Sequence, residues 1–277
     1  MADYINIIII LCYCLSTVTY IVYLFSQKDF LQKTGYYILL AGFIFHTLYL
    51  ITGFIDSGHL QAHNLRVTLS LAAWATTVVF LSLRLFKTHL KILGIYAAPF
   101  AACLYLLSIN FTNIPAQSVE LYKGFWLIAH VIFVFIGEAS LALACGVGIL
   151  YLIQDHALKS KKRGFFFKRL PSLELLDSTG YSCIMIGFSG FTIGLVAGLI
   201  NSKLVWHHFA NWDPKEIWSG ISWLIYAALL HERVAAGWRG RRAAIMAIIG
   251  FAALLFTFIG VNFFMEGHHV NFTRWQN

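Results

Sequence analysis

The sequence predicts an all-α, polytopic integral membrane protein: one domain over residues 1–277, about eight transmembrane helices, and both termini on the extracytoplasmic side. Three observations carry this. Hydrophobic residues make up 59% of the chain and charged residues only 12%, where a soluble domain carries about 25% charged residues. The apolar residues fall into runs close to the ~20 residues that a helix needs to cross a bilayer. Lysine and arginine gather in every second connection, the distribution that sets orientation. The net charge of +8 therefore reports topology. It gives no reason to expect a nucleic-acid partner; the surroundings expected are membrane lipid.

The runs place helices at roughly 4–25, 35–55, 66–86, 92–109, 124–153, 180–201, 215–233 and 243–264. No Lys or Arg precedes the first apolar core and no small-residue cleavage site ends it, so the first run reads as a span rather than a leader. Lys28 and Lys33 follow helix one, and Lys87 and Lys91 follow helix three. Lys159, Lys161, Lys162, Arg163, Lys168 and Arg169 follow helix five, and Arg233, Arg239, Arg241 and Arg242 follow helix seven. All four connections are thus expected inside. The 56–65, 110–123 and 206–213 connections and the 265–277 tail then face outward. The fifth run spans about 30 residues, or roughly 45 Å at 1.5 Å each, and must tilt or project. The 164–179 stretch, with Phe165–Phe167 among basic residues, reads as an amphipathic segment lying on the inner surface. Cys12, Cys14, Cys103, Cys145 and Cys183 all lie in apolar runs without zinc spacing or a CxxC pair. They read as small buried hydrophobes.

The connection between helices six and seven, 206–218, is richer than a linker requires. It holds Trp206, His207, His208, Trp212, Asp213, Pro214, Lys215, Glu216 and Trp218. Pro214 suits the first turn of a helix, where its missing N–H costs nothing. Asp213 stands at the N-cap, and Glu216 three residues on completes a capping-box pattern. Indole faces beside Lys215 and a helix N-terminus suit a flat aromatic ligand that carries anionic groups.

Eleven histidines add a second signal. Neutral imidazole is a common protein ligand of haem iron, and two of them on opposite faces make a six-coordinate site. His46 lies within a span, where an ionisable group is costly and usually faces the bundle interior; the alternative is a histidine satisfied by a hydrogen bond to a neighbouring helix. His130 lies near the outer end of helix five, as a ligand or as an interfacial residue beside Trp126. His231 ends helix seven, where it also suits the helix dipole. His268 and His269 sit in the outer tail, as solvated residues or as ligands. His207, His208, His59 and His63 are additional candidates near the outer face, while His89 and His156 read as solvated. Counting residues puts His231 about 26 Å along helix seven and His46 roughly 16 Å from the inner end of helix two.

The motifs Trp212-Asp-Pro-Lys-Glu216, Ile221-Ser-Trp-Leu-Ile-Tyr226 with His231, Gly237-Trp-Arg-Gly-Arg-Arg-Ala243 and Gly260-Val-Asn262 resemble the tryptophan-rich WWD region of haem-handling proteins. That superfamily includes CcsA (ResC), CcmC, CcmF and HemX. Trp126–His130 and the His46–Leu65 stretch fit the CcsA pattern as well. The resemblance implies System II cytochrome c biogenesis: haem transport and ligation to apocytochrome c in a bacterial plasma membrane, with the haem site facing outward. It implies haem b, with iron held only through haem. Partners would be a second membrane subunit, an apocytochrome c with a Cys-x-x-Cys-His motif, and a thiol-reducing protein. Carried over, His130 and His269 match the outer iron ligands, His46 and His231 a transmembrane pair, and Trp206, Trp212 and Trp218 the haem platform. The chain departs from the pattern at His207 and Ala210, where the family has glycine and a further tryptophan. No side chain stands out as an acid, base or nucleophile for thioether formation. Two rival readings are a HemX-like regulator of haem synthesis and a small-solute or proton transporter.

Overall fold

The computed structural model describes residues 2–59, 65–86, 92–111, 124–160, 164–165, 168–209 and 212–261. These form α1 (Ala2–Ser26), α2 (Asp29–Ser57), α3 (Leu65–Phe86), α4 (Gly94–Ser108), α5 (Phe125–Lys159), α6 (Leu173–Trp206), α7 (Pro214–Ala235) and α8 (Arg241–Leu255). The last continues into a π-helical turn, Phe256–Gly260. Six of the helices are long and apolar enough to cross a membrane. Of the others, α4 has only 15 residues, and α7 carries Lys215 and Glu216 at one end and Glu232 and Arg233 at the other. Charges confined to the ends of α7 leave its middle free to pack in the bundle.

Four helices, α1 to α4, form one half, with α1 against both α2 and α4, and α3 against α4. Four more, α5 to α8, form the other, built mainly on the α5–α6 pair. The halves join where α5 meets α3 and α4. The α5–α6 contact is close because both faces carry glycine: a Cβ on Gly137 would meet the backbone nitrogen of Phe191 at 2.5 Å. Small residues of this kind let helices approach where no hydrophobic drive separates lipid from protein.

The described basic residues beside the basic connections lie at one end. There Arg169 reaches the Phe25 carbonyl at 3.3 Å, and Arg84 lies over the Tyr36 ring. Arg233 forks onto both Asp177 oxygens at 3.1 and 2.7 Å, and the Gly240 N–H donates to the same carboxylate at 2.7 Å. Asp177 thereby ties α6 to the ends of α7 and α8. Of the amphipathic segment expected over 164–179, Phe166 and Phe167 lie outside the described residues. Ser172 caps α6 by accepting from the Leu175 N–H, so 173–179 is helix continuous with the span. Asp177 in this stretch serves the latch rather than a membrane surface.

Candidate functional site

The opposite end of the bundle holds the aromatic connection. α6 ends with His207 in the left-handed region at φ 62°. The chain is clipped back onto α6 by Ser202, which donates to the His208 carbonyl at 2.9 Å, and by Lys203, which donates to the His207 carbonyl at 3.0 Å. Trp212 is also left-handed, at φ 53°, a conformation uncommon for a bulky residue and worth roughly 1–3 kcal/mol of local strain. It turns an exposed indole outward. Asp213 then caps α7 as its sequence predicts: it is buried, and its Oδ1 accepts from the Lys215 N–H at 3.0 Å. Pro214 occupies the first turn. Trp218, half-buried one turn on, packs its ring at a tilt of 58° against Phe256 of the π-helical turn, with 4.5 Å between ring centroids. That turn is held by a hydrogen bond of 3.3 Å between Ser222 and Thr257.

His130 lies in the second turn of α5, half-buried. Its Nδ1 is 2.7 Å from the Gly194 carbonyl. A carbonyl only accepts, so Nδ1 carries the proton and Nε2 is the nitrogen with a lone pair. The ring rests on α6 at Gly198, where a Cβ would lie 2.6 Å from Nδ1. Two glycines one turn apart thus give the imidazole a flat seat and a carbonyl that fixes its tautomer. This is the outer arrangement common to metal-binding histidines.

Glu138, two turns further along α5, escaped the sequence reading. It is half-buried and interacts electrostatically with Lys215. A lone carboxylate within an apolar run was the signal that could have found it.

The remaining candidates are dispersed. His46 is fully buried in the α1–α4 half. The Tyr13 hydroxyl is 3.0 Å from its Nδ1 and the Ser70 hydroxyl 2.8 Å from its Nε2, while the Tyr105 ring meets it edge-on at 4.7 Å. His231 is exposed in the last turn of α7, two residues before the Asp177 latch. His46 stands 17 residues from the start of α2 at the basic end, about 26 Å of helix. The two histidines therefore lie in different halves and at different depths, and the structure does not bring them together. His59 is buried at the end of α2, with Nδ1 2.8 Å from the Ser57 carbonyl. His207 and His208 are exposed beside the platform. His63, His268, His269 and the Trp206 side chain lie outside the described residues.

What this arrangement can do chemically is limited and specific. It offers an imidazole with a fixed tautomer, indole faces, and a capped helix N-terminus beside a lysine, all at one end of the bundle. Such groups bind and orient; none is placed to transfer a group itself.

Comparison with known proteins agrees with that inventory. The chain matches the family described as "Cytochrome C assembly protein" over residues 62–269. The cytochrome c biogenesis protein CcsA of Guillardia theta is 31% identical over 256 residues, covering 85% of this chain and 84% of the relative. CcsA of Chlorella vulgaris is 31% identical over 280 residues, covering 88% and 86%. CcsA of Synechococcus sp. (strain JA-3-3Ab) is 29% identical over 306 residues, covering 88% and 87%. Similarity of this extent runs through both halves of the bundle, and this chain belongs to the cytochrome c assembly protein family.

Proposed function

We propose that this protein handles haem in cytochrome c biogenesis, presenting haem b for attachment to apocytochrome c at the outer face of a bacterial plasma membrane. The observation that carries the reading is the seating of His130. Its Nδ1–H is committed to the Gly194 carbonyl, which orients the ring and raises the basicity of Nε2 as a ligand. Haem is cargo here. Nε2 of His130 would take one axial position on its iron and His269 the other. Trp212 and Trp218, with Trp206, would receive the porphyrin plane, and Lys215 with the α7 N-terminus would hold the propionates. His231 and His46, in different halves and at different depths, would not hold one iron between them. Bond formation between the haem vinyl groups and the acceptor cysteines is then a matter of positioning and of control of the iron's redox state. A second membrane subunit and a thiol-reducing protein complete the system.

The test is reconstitution. The chain is expressed with the second System II subunit and a reporter bearing Cys-x-x-Cys-His. Covalently attached haem on the reporter is the expected result, lost with His130→Ala. Haem that copurifies with the chain while the reporter stays unmodified would replace this reading with the regulator of haem synthesis. A chain that never carries haem would leave a transporter.

A further inference from the structure

A cavity of about 250 Å³ opens between α1, α2, α3 and α4 at the end of the bundle that carries the aromatic connection, on the half away from His130. For scale, an engineered cavity of roughly 150 Å³ accepts benzene. One wall is polar and mostly spent. Tyr105 donates to Asn6 at 2.7 Å, Ser108 donates to the Tyr105 carbonyl at 2.6 Å, and Ser70 is tied to His46. Against these, Arg66 is half-buried, and among the described residues its guanidinium makes one long bond, 3.4 Å to the Phe111 carbonyl. Asp56, the acid on the cavity rim, is exposed, and among the described residues no ion pair joins it to Arg66. The other wall is apolar, formed by Leu50 and Phe54 of α2 and Leu71 of α3, and Phe54 continues onto the exposed flank of α2.

A guanidinium with donors to spare calls for an anion that offers two oxygens side by side, a carboxylate or a phosphate, which it binds through two parallel bonds. An apolar wall leading to a lipid-facing flank calls for an aliphatic or ring body. We infer that this cavity is a second ligand site, which receives the anionic oxygen head of an amphiphile on Arg66 while the apolar body leaves along α2 and α3. A phospholipid phosphate and a haem propionate share that chemistry. The site does not depend on haem binding at His130.

The experiment uses the full chain in detergent, with phosphatidylglycerol, phosphatidylcholine and haemin as separate probes, read by native mass spectrometry and by absorbance. Wild type should retain phosphatidylglycerol over phosphatidylcholine. Arg66→Gln should weaken that retention roughly tenfold or more, the weight of one charge-assisted bond, with Arg66→Lys in between. Gly53 also lines the cavity, and a Cβ there meets nothing within 4 Å. Gly53→Leu therefore has room for its first side-chain carbon at the cavity wall and should reduce retention at an unchanged melting temperature. This second variant carries the test even if Arg66→Gln fails to fold. If both variants leave the phospholipid untouched but reduce haemin uptake, the head is a propionate and the site stands. If neither probe responds to either variant, the inference is overturned.

Discussion

Gly198→Ala is the most informative small change in this protein. The added methyl would sit 2.6 Å from Nδ1 and 2.9 Å from Cε1 of His130, well inside contact distance. α6 is fixed by its long packing against α5, so the imidazole must move. Moving it breaks the 2.7 Å bond to the Gly194 carbonyl that sets ring angle and tautomer. Loss of such an outer bond typically costs 10–100-fold in metal affinity, or about 1.4–2.7 kcal/mol. Fold stability should not suffer, because alanine in a helix interior is favoured over glycine by up to about 1 kcal/mol. The assay is haemin titration of detergent-purified apoprotein followed in the Soret region, with melting temperature recorded in parallel. Wild type, Gly198→Ala, Gly198→Leu and His130→Ala should fall in that order of affinity, and added imidazole should restore the low-spin spectrum of the variants. Wild-type affinity in Gly198→Ala, at unchanged melting temperature, would refute the argument that the α6 glycines seat the ligand.

Other consequences follow from the same geometry. Asp213→Ala removes the α7 N-cap and should lower stability by about 1 kcal/mol, measured as a lower melting temperature, with Asp213→Asn recovering most of it. Asp177→Ala strands the Arg233 guanidinium and the Gly240 N–H and should cost about 3 kcal/mol, visible as faster proteolysis of the α7–α8 connection. Tyr13→Phe removes one hydroxyl from His46 and should cost roughly 1 kcal/mol, with haemin affinity at the outer site unchanged. Trp212→Gly relieves a left-handed backbone and should raise the melting temperature while weakening haemin binding, a separation that a purely structural tryptophan would not show.

Much of this was legible in the chain, for physical reasons that differ from residue to residue. The eight helices could be located because each carries an apolar run, six of them long enough to cross a bilayer, and lipid allows no other way to satisfy the backbone. Asp213 and Pro214 could be placed because capping is local chemistry. The start of α6 was not legible. Glu174 and Asp177 look like a surface pattern until Arg233, 56 residues later, is found to pair with Asp177. His130 could be suspected from its depth and its resemblance to family ligands. Its seat could not, because Gly194 lies 64 residues away and no local spacing connects the two. The same holds for His46: its partners Tyr13 and Ser70 sit 33 and 24 residues off, so only the structure shows both ring nitrogens engaged and the ring distant from His231.

The absorption spectrum of the reduced, detergent-purified protein from a haem-replete host bears most directly on the account. Low-spin bis-histidine haem should be present in wild type and lost or converted to high spin in both His130→Ala and His269→Ala. A wild-type protein that purifies without haem, or a spectrum that both substitutions leave unchanged, would contradict it.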